Sequence, residues 1–595
     1  MNRTILLLFI LAFSFSCVDK RHQTLESKLH TDISEKIDTL IGTLGNLEKT
    51  KDEEALIQHF KRSREEYKKI EPFVEYYFQG LARRINGPAL PEIKTDDNVV
   101  NEAVGFQVIE EIVFSEGVDL VELKNQVRIL ETDLKFVQQN FKDLPIQNHH
   151  FYELIQHQII RIAVLGITGF DSPVALSSID EAKHSIEGIE EYYRKYCEIN
   201  NEKVNAGFTE SLEKTKQYLS NNNDFNSFNR LHFVKNHLMP LSISLEKNFR
   251  IVIEKSPSLF EGKVFYGHLA DLMQGKNLNP DAFSPFAESK STAEKVALGK
   301  VLFNDASLSR SNSLSCATCH NAEKSFTDGK KTSVSNIHGN AFKRNSPTLL
   351  YSAFQKAFFY DLRSQDLENQ IESVMKSPDE FDLSPKEILE KVSKNKETTL
   401  IFSKAFPDKK EITPYEIRNA IASYVRSLMP FNAKIDHYFA GKAILTESET
   451  IGFNLFSGKA KCATCHFIPV YNGTVPPWYN NSESEVIGVP KNIAWKNAVI
   501  DSDEGRYKFN QIEQLKFSFK TPTVRNIEKT APYMHNGVYN TLEDVIKFYE
   551  LGGGNGIGLN LPYQTLPFDN LQLTESEKQD IINFLKTLTD SSEDN

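Results

Sequence analysis

The sequence predicts an all-α fold that contains several domains. Apolar residues recur at spacings of three and four between residues 25 and 255, as at Ile33, Ile37, Leu40 and Leu44, and this period is typical of helices with one buried face. The alternating polar and apolar runs of β-strands are nearly absent. The 595 residues correspond to about four domains of ordinary size.

Composition and charge exclude several classes of protein. Hydrophobic residues make up 40% of the chain and charged residues 25%, which is ordinary for globular proteins and excludes a disordered or fibrous chain. The formal net charge of −11 argues against a nucleic-acid partner, because such proteins need a basic face to displace counterions from phosphate. No apolar run of about 18 residues follows the amino terminus, so a multi-span membrane protein is excluded. Six cysteines in this length exclude a fold built on disulfides.

The first seventeen residues have the features of an export signal. Arg3 precedes a short segment of apolar and small residues, 5–16, which is too short to span a bilayer. The segment ends at Cys17 and resembles a lipoprotein signal, in which this cysteine becomes the lipidated first residue, although the usual leucine three positions earlier is missing. A plain cleaved signal without lipid is the alternative. Both interpretations predict an exported protein, periplasmic or anchored in the envelope, which contacts the membrane only through an amino-terminal lipid.

Residues 25–255 are predicted to form a helical bundle whose role the sequence does not identify. After the break at Asn86-Gly87-Pro88, amphipathic runs cover roughly residues 103–115, 120–141, 151–166, 178–199 and 207–220. Cys197 lies in the apolar pattern of one run, which predicts a buried and unreactive thiol.

A linker with several prolines and glycines follows at about residues 253–285. Two further domains are predicted beyond it, at 286–440 and 441–595, with short helices and long loops. The run 576–588 predicts a closing helix with an apolar inner face.

Four of the six cysteines lie in two identical pentapeptides, Cys316-Ala317-Thr318-Cys319-His320 and Cys462-Ala463-Thr464-Cys465-His466. This is the C-x-x-C-H pattern of c-type haem attachment, and one chance match is expected only about 0.0015 times at this composition. The two thiols can add to the two vinyl groups of one haem, and the adjacent histidine then reaches the iron. A zinc site would require both motifs to converge on one metal, and a thioredoxin-like pair would require a strand–helix context that is absent. The motifs therefore predict two covalent haems in two c-type cytochrome domains.

Several sequence blocks surround these motifs in a fixed order. They are Leu298-Gly299-Lys300-Val301-Leu302-Phe303, Ser325-Phe326-Thr327-Asp328-Gly329, Arg344-Asn345-Ser346-Pro347-Thr348, Phe359-Tyr360-Asp361-Leu362-Arg363, Phe519-Lys520-Thr521-Pro522-Thr523 and Ala531-Pro532-Tyr533-Met534-His535. In this order and spacing, the carboxyl-terminal half from Ala297 onwards resembles the bacterial di-haem cytochrome c peroxidase and MauG superfamily.

The resemblance implies roles for individual residues. The first haem, on Cys316, Cys319 and His320, would be the peroxidatic one, and the second, on Cys462, Cys465 and His466, would transfer electrons. Glu380 matches the distal acid–base carboxylate and Gln370 the distal glutamine. His338 matches a loop histidine that caps the first iron at rest. Asn345 and the carbonyls of Thr530 and Pro532 match a calcium site between the haems.

Two positions depart from the usual pattern of this superfamily. Tyr360 stands where a tryptophan usually lies between the haems. Tyr549 stands where a methionine usually ligates the second iron, and this resembles the MauG branch, in which histidine and tyrosine are the axial ligands. The resemblance therefore implies a second haem with a lower potential than in members with a methionine ligand.

The amino-terminal half carries a weaker resemblance. Gly105-Phe106-Gln107-Val108-Ile109-Glu110 resembles the Gly-x-His-x-x-Glu motif of imelysin-like helical lipoproteins. Gln107 replaces the histidine, which argues against a metal site there.

The resulting functional hypothesis is a di-haem peroxidase that reduces hydrogen peroxide to water. A small redox protein, a cytochrome c or a cupredoxin, would supply electrons through the second haem. One alternative is a MauG-like oxidase that modifies side chains of a partner protein, and another is a non-enzymatic di-haem electron carrier or sensor. Many members of the superfamily are dimers, so the resemblance also implies a homodimer as one assembly.

Overall fold

A computed structural model describes residues 24–95, 98–256, 262–335, 339, 341–567 and 569–591. Cys17 with the rest of the predicted signal, and His338, lie outside these residues. The fold is all-α, as predicted from the sequence. Within the described residues only four strands occur, each of three residues.

The amino-terminal bundle consists of long and short helices, and the long ones bury apolar faces. Its helices are Leu25–Lys49, Glu53–Tyr77, Gln79–Asn86, Phe106–Val113, Leu120–Phe141, Asn148–Arg161, Ser178–Ile199, Ala206–Asn221, Arg230–Phe233, Met239–Asn248 and Arg250–Glu254. Polar caps start several of them: the side chain of Thr24 accepts from the backbone of Ser27, and that of Asp52 accepts from Ala55. The amphipathic runs of the sequence are thus confirmed as helices. Cys197 is buried, and burial raises the pKa of its thiol, which agrees with an unreactive cysteine.

Two features of the bundle are not visible in the sequence pattern. A hairpin pairs strand Glu92–Lys94 with Val99–Asn101 in antiparallel register. π-helical turns at Ile162–Gly166 and Val234–Leu238 interrupt the regular helices; such turns are frequent at functional positions.

A cluster of buried charges lies inside the bundle. The carboxylate of Asp171 accepts hydrogen bonds from Arg161 at 2.7 and 2.8 Å and from Lys68 at 2.6 Å. Arg64 pairs with Glu181 in the same cluster. Because each of these side chains is almost fully buried, the cluster depends on complete pairing of its charges.

The carboxyl-terminal half has shorter helices and long loops. Its helices are Leu269–Met273, Ala293–Asn304, Cys316–Cys319, Leu367–Lys376, Pro385–Lys394, Lys396–Ala405, Pro414–Ser427, Lys434–Phe439, Glu447–Phe456, Tyr507–Asn510, Leu542–Glu550, Gly553–Gly556 and Glu575–Lys586. Strand Ser484–Val486 pairs with Ser518–Lys520, and Glu485 lies opposite Phe519.

Each haem motif follows one member of a closely packed helix pair. Ala293–Asn304 packs on Pro414–Ser427, and Glu447–Phe456 packs on Glu575–Lys586. A glycine permits each approach, because a Cβ at Gly299 would lie 1.9 Å from the carbonyl oxygen of Ala420, and one at Gly452 would lie 2.0 Å from that of Asp580. The two cytochrome regions therefore share the same local architecture.

The bundle packs directly against the second cytochrome region. Arg83 forms an ion pair with Glu483 at 2.7 Å. The indole of Trp478 donates to the carbonyl of Glu75 at 3.2 Å. The fold therefore brings residues of the bundle next to the second haem motif. Among the described helices, none combines the length and the apolar composition that a bilayer crossing requires.

Candidate functional site

The first C-x-x-C-H motif forms a short helix, Cys316–Cys319. The backbone N–H of Ser315 donates to the hydroxyl of Thr318 at 3.0 Å, which fixes the start of this helix. The Nδ1 atom of His320 lies 3.1 Å from the carbonyl oxygen of Phe326, and burial lowers the pKa of the ring. A neutral imidazole that donates from Nδ1 leaves Nε2 as the metal ligand.

The second motif repeats this arrangement on a 3₁₀ turn, Cys462–Thr464. Nδ1 of His466 lies 3.1 Å from the carbonyl oxygen of Pro522 and 3.2 Å from that of Tyr471. Burial lowers the pKa of His466 to about 4, so the ring is neutral at physiological pH. Both histidines are therefore held in the orientation that an axial haem ligand requires.

A cavity of about 1480 Å³ adjoins the second motif. It is lined by Cys462, Cys465 and His466, and also by Tyr549 on the helix Leu542–Glu550. It extends to Tyr360, which the family resemblance implies lies between the haems. This volume exceeds that of ordinary small-molecule pockets and accommodates a porphyrin.

The polar groups on one wall of this cavity fit a haem with its two propionates. Arg506 Nε, Ser518 Oγ and Thr521 Oγ1 are buried and find no hydrogen-bond partner within the described residues. Burial lowers the pKa of Lys520 to about 8, and among the residues that the structure describes its ammonium donates only to the neutral amide of Gln355, at 2.7 Å. Anionic carboxylates would supply the partners that these groups lack. Arg506, Lys520 and Thr521 are therefore the residues that would hold the propionates.

Tyr549 is packed into the wall beside the attachment cysteines. Burial raises the pKa of its phenol. Met534 also lines the cavity. Tyr549 thus lines the same cavity as the second motif, and its role as an axial ligand stays a prediction. Met534 is a second candidate because it lines that cavity too.

Glu380 lies close to the first haem motif. Its backbone N–H donates to the carbonyl of Ser377 at 3.0 Å in the turn after the helix Leu367–Lys376. Burial raises the pKa of its carboxyl to about 7. Burial also raises the pKa of Cys316 to about 12, and the charge of Glu380 adds to that shift. This electrostatic interaction indicates that the carboxyl lies near the first motif, and its action on a bound ligand stays a prediction.

Fewer contacts define where Gln370 and Tyr360 lie relative to the haem motifs. Gln370 lies on the helix Leu367–Lys376 and is half-buried, with its backbone N–H bonded to Asp366 at 3.1 Å. Tyr360 is also half-buried, and burial raises the pKa of its phenol. The Lys520 ammonium lies 5.9 Å from the Tyr360 ring centroid. Tyr360 therefore shares the cavity of the second motif, whereas the catalytic role of Gln370 stays a prediction.

The residues of the predicted calcium site come together. The side-chain amide of Asn345 donates to the carbonyl oxygen of Pro532 at 3.3 Å and to that of Lys330 at 2.9 Å. Thr530 lines the same cavity as Asn345 and Pro532. Carbonyl oxygens are ligands of the kind that Ca²⁺ prefers. Asn345 presents its amide nitrogen to them here, so calcium binding stays a prediction. His338, the predicted capping ligand, lies outside the described residues.

The sequence pattern does not identify one half-buried carboxylate at the second site, that of Glu485. Glu485 lies on strand Ser484–Val486 and lines the cavity. Burial raises its pKa to about 7, and its side chain bonds Thr565 and Cys465. Nothing in the local sequence distinguishes Glu485 from a solvated loop charge, because only the strand pairing brings it inward.

Comparisons with known proteins agree with this geometry. The profile of a family described as di-haem cytochrome c peroxidase matches residues 293–444. Methylamine utilization protein MauG of Methylorubrum extorquens is 32% identical over 299 residues, which cover 50% of this chain and 78% of that protein. Cytochrome c551 peroxidase of Nitrosomonas europaea is 33% identical over 313 residues, which cover 52% of this chain and 84% of that protein.

A crystal structure of a MauG-like protein associated with microbial copper homeostasis aligns at 31% identity with a TM-score of 0.46, covering 52% of this chain and 92% of that chain. The sequence comparisons establish the identity of the carboxyl-terminal half. The chain belongs to the di-haem cytochrome c peroxidase and MauG family, and it is an oxidoreductase that carries two c-type haems.

Proposed function

We propose that the chain reduces hydrogen peroxide to water, with electrons that a small redox protein delivers through the second haem. The observation that carries the proposal is the position of Glu380. It is a half-buried carboxylate with a pKa of about 7, and it interacts electrostatically with Cys316 of the first haem motif. A group with this pKa exchanges protons readily near neutral pH.

The chemistry requires one proton transfer that a side chain must perform. In the overall reaction the O–O bond breaks, two electrons come from the donor protein, two protons come from solvent, and two water molecules form. The bound haem supplies the iron that binds peroxide and passes on the electrons. Glu380 takes the proton from one peroxide oxygen and returns it to the other, so that the second oxygen leaves as water.

Other residues hold the site for this reaction. The carbonyl of Phe326 fixes His320 as a neutral ligand, and Arg363 partly opposes the upward shift of the Glu380 pKa. Tyr360 is the aromatic side chain that we assign to the path between the two haems. Its phenol also carries a proton, which distinguishes it from tryptophan.

A second function, oxidation of side chains in a partner protein, is favoured by Tyr549. By resemblance, Tyr549 gives this chain the tyrosine that the MauG branch has at its second haem. The 32% identity to a MauG protein is consistent with a MauG-like function. In this case the partner protein, rather than a soluble donor, would lose the electrons.

We also propose export of the chain, with Cys17 as its lipid-modified residue. The apolar segment 5–16 followed by this cysteine supports the proposal. Labelling with a radioactive fatty acid in a cell that processes lipoproteins tests it. Incorporation that is lost in Cys17→Ser is expected, and equal labelling of both proteins would contradict it.

Stopped-flow mixing of the haem-loaded full chain with hydrogen peroxide tests the proposed function. Iron and covalent porphyrin are first counted, and two per chain are expected. With reduced cytochrome c or a reduced cupredoxin present, two donor molecules should be oxidised for each peroxide consumed. Reaction of the haems with peroxide but no oxidation of either donor would favour the MauG-like function. No reaction at either haem would favour a carrier or sensor.

A further inference from the structure

The segment Gly105–Glu110, which resembles a metal-binding motif, makes contacts of a different kind. The side-chain amide of Gln107 donates to the carbonyl of Phe170 at 2.9 Å and to that of Asn86 at 3.1 Å. One carboxylate oxygen of Glu110 accepts from the backbone N–H of Ala175 at 2.7 Å. Both side chains are nearly fully buried. The segment is therefore hydrogen-bonded to the loop at residues 167–176, which we name the cover loop.

The buried charge cluster anchors the same loop. Asp171, in the middle of the cover loop, binds Arg161 and Lys68 through its carboxylate. Its carbonyl accepts from Arg64 at 3.1 Å. Buried side chains of the bundle therefore fix the cover loop at two points, the carboxylate of Asp171 and its backbone carbonyl.

The cover loop and the turn before it lie on the second haem motif. The π-helical turn Ile162–Gly166 contacts the attachment turn Cys462–Thr464. The ring of Phe170 meets that of Phe467 edge-on, with centroids 5.9 Å apart, and Phe467 directly follows His466 of the second haem motif. Phe170 and Gln107 also line the cavity that fits the second haem.

We infer that the amino-terminal bundle forms one wall of the second haem site, and that Gln107 is a positioning residue that holds Phe170 in that wall. The inference rests on haem attachment at Cys462 and Cys465 and assigns a role to residues 25–255. The potential of a bound haem depends on burial and on the polarity around it. The bundle thereby sets the potential of the second haem and keeps water and small reductants away from this face. An electron donor must approach from another side.

Three variants of the haem-loaded full chain test this assignment. Phe170→Ala removes the aromatic ring from the wall. Gln107→Met removes the amide that holds Phe170 while keeping a similar side-chain volume. Phe208→Ala is the matched control, because Phe208 is a fully buried bundle phenylalanine packed against Tyr193. For each protein, a spectroelectrochemical titration gives the midpoint potential of each haem, and stopped-flow mixing with dithionite gives each rate of reduction. The first haem serves as an internal reference.

We expect the potential of the second haem to shift in Phe170→Ala and, by less, in Gln107→Met. Reduction of that haem by dithionite should become several-fold faster, while the first haem and the Phe208→Ala control keep wild-type values. If the variants carry two haems and the potential and reduction rate of the second haem are unchanged, this inference alone is overturned. Equal changes at both haems, or changes in Phe208→Ala as large as those in Phe170→Ala, would also overturn it. A wild-type chain with one iron would instead overturn it together with the two-haem site.

Discussion

Tyr549 lines the same cavity as Cys465, an attachment cysteine of the second haem. Burial raises the pKa of the phenol. Such a phenol ionises at neutral pH only if a cation binds its oxygen. The iron of the second haem is the cation that the proposed function places there.

If Tyr549 ligates that iron, Tyr549→Met should raise the midpoint potential of the second haem. A phenolate is anionic and hard and favours oxidised iron over reduced iron, whereas a thioether does not. The expected rise is on the order of 100 mV, a part of the ~0.8 V over which axial ligands set haem potentials. Met534→Leu is the control, since Met534 lines the same cavity. A potential that moves in Met534→Leu and not in Tyr549→Met would assign the ligand to Met534.

Replacement of Glu380 should separate catalysis from haem binding. Glu380→Gln keeps the size of the side chain but cannot accept the peroxide proton, so kcat/KM for peroxide should fall by about 10²–10⁴-fold. Asp379→Asn is the matched control, because Asp379 is the exposed neighbour of Glu380 and should retain turnover. Both variants should keep two haems per chain. Full peroxidase activity in Glu380→Gln would remove this carboxylate from the mechanism.

The pH dependence of turnover follows from the same carboxyl. Burial raises the pKa of Glu380 to about 7, and only the ionised form accepts a proton. Activity should therefore rise with pH through about 7 and fall below it. In Asp379→Asn this rise in activity should occur at lower pH, because Asp379 contributes to the raised pKa of Glu380. A flat kcat/KM profile between pH 5 and pH 8 would contradict the role of Glu380.

The raised pKa of Glu380 also lowers the free energy of unfolding as pH rises, since the folded chain retains the Glu380 proton to a higher pH than the unfolded chain.

Local sequence patterns were sufficient to predict the helices. The run 120–141 of the sequence coincides with the helix Leu120–Phe141, because spacings of three and four determine which face is buried. The haem motifs were equally predictable, since covalent attachment needs two thiols and a histidine within five residues. The short hairpin at Glu92–Lys94 was not, because three-residue strands carry too little pattern.

The residues that line the second haem site could not be predicted from the sequence, because tertiary contacts bring them together. Phe170 meets Phe467 across almost 300 residues of sequence, and no local period records such a pairing. The sequence shows Gln107 only as a departure from a metal motif, and its two backbone acceptors are known only from the fold. Glu485 and Arg506 become site residues because strand pairing and burial bring them to one cavity.

Removal of calcium tests the site at Asn345. If Ca²⁺ binds there, Asn345 turns its amide oxygen toward the ion beside the carbonyls of Thr530 and Pro532. Treatment of the haem-loaded chain with a chelator should then slow reaction with peroxide, and added Ca²⁺ should restore the rate. Asn345→Ala should weaken calcium binding measured by calorimetry. Wild-type protein that contains no calcium, and responds neither to chelator nor to added Ca²⁺, would refute the site.

The charge cluster predicts a large stability difference between two conservative substitutions. Asp171→Asn leaves Arg161 and Lys68 buried with one negative charge fewer, which should lower the free energy of unfolding by about 3–5 kcal/mol. Glu254→Gln removes an exposed ion pair, since Glu254 contacts Arg250 at 2.8 Å on the surface, and should cost less than ~0.5 kcal/mol. Urea denaturation followed by far-ultraviolet circular dichroism measures both. A loss in Asp171→Asn as small as that in Glu254→Gln would show that the cluster does not depend on its charges. The cover loop would then need another anchor, because Asp171 carries the carboxylate that ties it to the bundle.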